Sequence, residues 1–113
     1  MKAQELGRLG EQTAARALQK MGCRLLAMNY RTRFGEIDLI VQDGDTTVFV
    51  EVKTRKDASF AEAAEAVTPA KQERLRAAAQ QWLAEKGESP ARFDVVEVYT
   101  KDRTIRHISD AFT

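Results

Sequence analysis

The strongest constraint on this chain is a pair of short strand-like runs, FGEIDLIVQD and TTVFVEVKTR, with Asp43-Gly44 at their junction. Alternate residues of a strand face the same side. Val48, Val50 and Val52 therefore take one face of the second run, and Phe49, Glu51 and Lys53 the other. An Asp-Gly pair between two such runs signals a hairpin, and with Asp43 and Gly44 as a two-residue loop Gln42 stands opposite Asp45. That register sets Asp38 opposite Phe49 and Glu36 opposite Glu51. Asp38, Glu36, Glu51 and Lys53 are then expected on one face, with Asp38 diagonal to Glu51 at roughly 7–8 Å or less.

The spacing D-x12-E-x-K thus gathers two carboxylates and an ammonium beside a sheet, the parts of a metal-dependent phosphodiesterase. A hard divalent cation, Mg²⁺ or Mn²⁺, fits between such carboxylates. Without one, carboxylates on one patch repel and raise each other's pKa values. Alternating charge along a strand is ordinarily the solvated face of an antiparallel sheet. Here Phe49 shares the charged face and valines fill the other, which suggests cover on both sides, and a buried carboxylate requires a cation or hydrogen-bond donors.

A chain of 113 residues is long enough for a single core, so residues 1–113 read as one domain. The lone Cys23 excludes an internal disulfide. No apolar run reaches the length of a membrane span, so the expectation is a cytoplasmic protein with no membrane partner. Net charge is only +1, too small to attract nucleic acid by bulk charge. Placement of charge is more telling. Arg31, Arg33, Lys53, Arg55 and Lys56 cluster around the carboxylate hairpin, as expected if a polyanion approaches a negative metal pocket; solubilising charge at strand ends is the alternative for each.

Residues 3–21 read as a helix whose inner face carries Gly7, Gly10, Glu11, Ala14 and Leu18. Two interior glycines cost about 1 kcal/mol each relative to alanine. They point to close approach of another backbone or a ligand. Glu11 at the edge of this arc is either a surface residue on a rotated helix or a neighbour of the metal site. Arg24 to Tyr30 follow as a strand, Phe60 to Val67 as a short helical turn, and Thr68-Pro69 as the cap of a second helix that Gly87 stops. Leu75, Ala78, Ala79, Trp82 and Leu83 form its apolar stripe, which makes Trp82 a core residue. Lys71 and Gln72 stand at its start, where side chains and free amides can meet phosphate; Arg74 and Arg76 read as a solvated face. Arg92 to Tyr99 and Thr104 to Ile108 complete the sheet as two strands. The single His107, without a second histidine or cysteine nearby, argues against zinc. The order α-β-β-β-α-β-β describes an α/β domain, a mixed sheet flanked by helices.

With D-x12-E-x-K on its second and third strands, this order resembles the PD-(D/E)xK nuclease superfamily of restriction enzymes and Holliday-junction resolvases. The runs GRLGEQTAARAL, N-Y-R-x-R-x-G-E-I-D-L-I, V-F-V-E-V-K-T-R, R-F-D-V-V and I-x-H-I-x-x-A-F more closely resemble the YraN family of uncharacterised bacterial proteins, over nearly the whole chain. The resemblance implies a restriction-endonuclease-like fold, Asp38 and Glu51 as metal ligands, and Lys53 orienting water or stabilising charge. Glu11 matches the extra carboxylate that resolvase-like members place near the metal. Ile37 stands where the superfamily has proline. The resulting expectation is a Mg²⁺- or Mn²⁺-dependent endonuclease with Asp38, Glu51 and Lys53 catalytic and Asp38, Glu51, Glu36 and Glu11 around the metal. Arg31, Arg33, Arg55, Lys56, Lys71 and Gln72 would contact nucleic acid, DNA ahead of RNA, and the expected assemblies include a homodimer. The alternative is a non-catalytic nucleic-acid-binding or adaptor protein that retains the fold.

Overall fold

The computed structural model describes residues 2–57 and 67–113. Its elements run α1 (Ala3–Lys20), β1 (Arg24–Arg31), β2 (Glu36–Asp43), β3 (Thr46–Arg55), α2 (Pro69–Lys86), β4 (Ala91–Tyr99) and β5 (Thr104–Phe112). One five-stranded sheet has the spatial order β1-β2-β3-β4-β5, and β3 and β4 are parallel while the other neighbours are antiparallel. A parallel pair needs a long crossover. α2 lies within it. The α-β-β-β-α-β-β order expected from sequence is the order observed, and it is compatible with a restriction-endonuclease-like fold. The helical turn expected at Phe60–Val67 lies outside the described residues, apart from Val67, which is not helical.

The alternation in β3 divides the core into two layers. Val48 and Val50 join Leu39, Val41, Val96 and Val98 under Ala14, Ala15 and Leu18 of α1. On the opposite face Phe49 packs with Ile37 and Ile40 against Leu75, Ala78, Ala79 and Trp82 of α2. The sheet is thus covered on both sides, and Glu51 is only 5% exposed. Gly10 has a packing reason: a Cβ there would collide with the Thr54 side chain on β3. Gly7 meets no such obstacle.

The hairpin register differs from the one expected. Asp43 pairs with Thr46 and Leu39 with Val50, so Gly44 and Asp45 form the turn. Gly44 has φ 63°. A glycine at the first central position suits a type II′ turn, which needs a positive φ at that residue alone, whereas Asp43-Gly44 as a type I′ loop would also force Asp43 to positive φ. The two-residue shift preserves the faces and moves the partners. Asp38 is carried from Phe49 to a place across from Glu51, one step past the last ladder pair, and Glu36 is carried away from Glu51.

The sheet's far edge is pinned by a buried carboxylate. Asp94, 1% exposed, accepts from Arg92 Nε at 3.0 Å, from His107 Nε2 at 2.7 Å and from the Asp110 amide at 3.0 Å. Asp110 has φ 53° within the irregular stretch where β5 departs from regular pairing with β4. The side chain thereby satisfies an amide that the interrupted ladder leaves over. This lets β5 continue to Phe112, whose ring stacks on Phe93 at 4.8 Å, beyond the Ile108 limit expected from sequence.

Candidate functional site

The β2–β3 ladder stops at Leu39 and Val50. Beyond it the Asp38 carboxylate, rather than a main-chain carbonyl, accepts the Val52 amide at 2.8 Å. Where the strands lose their direct bonds a cleft of about 370 Å³ opens, lined by Leu6, Gly7 and Glu11 of α1, Asp38 of β2, Glu51, Val52, Lys53 and Thr54 of β3, and Lys71 of α2. The catalytic trio expected from D-x12-E-x-K therefore lies in one cleft. A second hollow, about 430 Å³ and lined by Leu9, Thr13, Val98, Tyr99, Thr100 and Arg103, holds no carboxylate.

Burial and the adjacent Glu51, by hydrogen bond and by charge, push the Asp38 carboxyl up to about 8; the Val52 amide opposes this and Glu11 adds to it. A neighbouring carboxylate with no cation between adds to burial in this direction. Lys71 Nζ reaches Glu51 Oε2 at 2.8 Å. The contact is an ion pair without hydrogen-bond alignment, so this buried oxygen has no directed donor. Burial works against charge on Lys71, but the adjacent Glu51 carboxylate outweighs it and raises its pKa. Lys53 is lowered, first by burial and then by repulsion from Lys71, against the attraction of Glu51.

The elevated Asp38 has a definite consequence for the metal-free protein. Between the unfolded value near 3.8 and the folded value of about 8 the native state holds a proton that the unfolded chain has released. The resulting stability is full below about pH 4 and is lost as pH rises through about 8. Melting temperature should therefore fall between about pH 4 and about pH 8, and Asp38→Asn should flatten that fall. An equally steep profile in the variant would place the titrating group elsewhere.

The other expected residues divide sharply. Glu36 is exposed at the start of β2 and lies 3.5 Å from Arg31 Nε, outside the cleft, so the four-carboxylate arrangement does not form. Glu11 lines the cleft, but its Oε1 accepts from Asn29 Nδ2 at 3.0 Å. Among the described residues no three His, Cys, Asp or Glu side chains converge closely enough to hold a metal. Asp38 and Glu51 remain as a pair of hard oxygen donors, one with an undirected buried oxygen. That fits Mg²⁺, which takes one or two carboxylates and keeps several waters.

Among the expected nucleic-acid contacts, Arg31, Arg33 and Lys56 are exposed. Arg55 is not free: its Nε lies 3.4 Å from the fully buried Glu97 carboxylate, to which Arg106 also approaches at 3.7 Å. Gln72 donates to the Val67 carbonyl and accepts from Arg76, which makes it part of the α2 cap. Lys71 turns inward to Glu51 instead of outward to solvent. Asn29 was not singled out from sequence. Its signal is the residue type, since asparagine tolerates positive φ, and here φ is 52° within β1.

A family model described as uncharacterised protein family UPF0102 matches residues 10–98. The chain belongs to that family. It is the YraN family to which the sequence runs pointed. The UPF0102 match includes Glu11, Asp38, Glu51, Lys53 and Lys71. A UPF0102 protein of Pelotomaculum thermopropionicum is 46% identical over 113 residues, covering 95% of this chain and 94% of its own length. One from Rhodococcus jostii is 46% identical over 112 residues, with 95% of each chain covered. Another, from Symbiobacterium thermophilum, is 52% identical over 98 residues, covering 85% of this chain and 83% of the relative. Among the described residues no helix is long and apolar enough to cross a membrane.

Proposed function

We propose that this UPF0102 protein is a Mg²⁺- or Mn²⁺-dependent nuclease that hydrolyses phosphodiester bonds in DNA, with branched or damaged DNA as the substrate class. The observation that carries this reading is the convergence of Asp38, Glu51 and Lys53 in one open cleft, where the Glu51 carboxylate is buried. A non-catalytic binder gains nothing from negative charge facing phosphate. A cation held by Asp38 and Glu51 would supply an activated water and offset charge on the phosphorus. The Val52 amide orients the Asp38 carboxylate. Lys53, two residues from Glu51 and on the same strand face, directs an ammonium at the position where a phosphate enters.

Support for a nucleic-acid substrate comes from the β1–β2 turn, at the cleft end of β2. Thr32 Oγ1 accepts from the Phe34 and Gly35 amides at 3.0 and 3.2 Å, which fixes the turn. Phe34 is 40% exposed, and the Arg33 guanidinium lies 4.8 Å from its ring centre. A cation beside an exposed ring can meet backbone phosphate and stack an unpaired base, which favours DNA with unstacked nucleotides.

Two measurements test the reading. Mn²⁺ should raise the melting temperature by mass action on the folded state, and the double variant Asp38→Asn, Glu51→Gln should lose that increment. Equal metal stabilisation in the variant would exclude these ligands. DNA affinity should fall steeply with salt, and Arg33→Ala should flatten log K against log salt by roughly 0.9 for duplex DNA. Arg55→Ala should instead lower stability, because it strips a partner from buried Glu97. Binding indifferent to salt would count against a nucleic-acid substrate.

A further inference from the structure

Lys71 stands in the first turn of α2, where its amide donates to Thr68 Oγ1 at 3.2 Å and its side chain enters the cleft from the side opposite α1. Its Nζ is 2.8 Å from Glu51 Oε2, and the Lys71 side chain is 33% exposed while that of Glu51 is 6%. An ammonium at this distance occupies the region that a divalent cation, about 2 Å from a carboxylate oxygen and carrying waters, would need. Two cations crowded on one carboxylate oxygen repel each other, so the ammonium and the metal compete for Glu51. Resting on the metal reading above, we propose that Lys71 is a built-in competitor for the divalent cation. It closes Glu51 in the metal-free protein and releases it when the cation enters. The freed ammonium then faces the same cleft as Lys53, where an incoming phosphate can take it up, so metal and substrate reinforce each other. Linkage makes the competition reciprocal: the factor by which the Lys71–Glu51 contact weakens metal binding is the factor by which bound metal weakens that contact.

Isothermal titration of the intact chain with Mn²⁺ tests this. Lys71→Met keeps most of the stem and removes the charge, and it should bind Mn²⁺ about ten-fold more tightly than the wild type, within the usual range of site-to-site coupling. Its metal-free melting temperature should be lower, because Glu51 loses its counter-charge, and Mn²⁺ should restore more of it. The double variant Asp38→Asn, Glu51→Gln should bind no Mn²⁺. A wild-type measurement stands beside these in case the substitution prevents folding. Brief acylation followed by mass spectrometry should label Lys71 more strongly when Mg²⁺ is present, because the metal frees its amine. Equal or weaker Mn²⁺ affinity in Lys71→Met, or Lys71 labelling that Mg²⁺ leaves unchanged, would overturn the competition while the metal site stood, provided the double variant still failed to bind. No Mn²⁺ binding by wild type and Lys71→Met alike would bring down the metal reading and this inference together.

Discussion

Lys53→Ala is expected to remove metal-dependent cleavage while leaving DNA binding and the metal ligands in place. Lys53 lines the cleft on the same strand face as Glu51, and burial together with Lys71 lowers its pKa, the sign of an ammonium partly stripped of water. A poorly solvated positive charge interacts most strongly with charge that develops during reaction. Its contribution therefore falls mainly on the transition state, and rate should suffer more than affinity. Loss of one such stabilising group costs roughly 10²–10³ in rate. The assay is a panel of supercoiled, linear, branched, flapped and single-stranded DNA with matched RNA, each incubated with Mg²⁺ or Mn²⁺ beside the Lys53→Ala and Asp38→Asn variants. Cleavage that both substitutions eliminate supports the nuclease. Activity that persists in both belongs to a contaminant, and the absence of cleavage on every substrate would favour the non-catalytic binding module. Asp38→Asn should bind DNA at least as well as the wild type, since it removes a carboxylate from the path of phosphate.

The largest stability effect is expected far from the cleft. Asp94→Ala removes the acceptor for Arg92, His107 and the Asp110 amide in a single change. Arg92 keeps its contact with Asp43, but the half-buried His107 and the bulged Asp110 amide lose their protein partner at this site. Breaking a buried ion pair by deleting one member costs about 3–5 kcal/mol. Urea unfolding followed by fluorescence of Trp82, the single tryptophan, should show the loss directly. Trp82 reports on the opposite layer, edge-on to Tyr30 at 5.1 Å, so a two-state loss will appear there only if the sheet unfolds as a unit. A destabilisation below about 1 kcal/mol would mean that water replaces the carboxylate without difficulty, contrary to its burial.

Much of the site was legible because strand alternation acts at short range. Glu51 and Lys53 must share a face whatever the rest of the chain does, and Phe49 between valines already indicated cover on both sides. Helix limits were legible for the same reason: Thr68 caps α2 and Gly87 ends it, each through a local hydrogen bond. The hairpin register was less secure. It depended on which two of Asp43, Gly44 and Asp45 formed the turn, and the φ demanded of each residue decided that. Because the error was two residues, the faces survived and only the partners changed.

The sequence by itself determined the order of elements, the two-layer core and the grouping of Asp38, Glu51 and Lys53, since these follow from periodicity, caps and spacing within a few residues. Tertiary structure alone decided the identities of the counter-charges. Arg55 and Lys71 look alike in sequence as exposed cations near a phosphate site, but one is held by Glu97 and the other by Glu51. Asp94 and Glu97 lie buried in β4 and, apart from Arg92 beside Asp94, find their partners on the neighbouring strands β3 and β5. A buried charge takes the nearest partner in space, because the cost of leaving it unpaired outweighs any local preference, and nearness in space is set by how the layers pack.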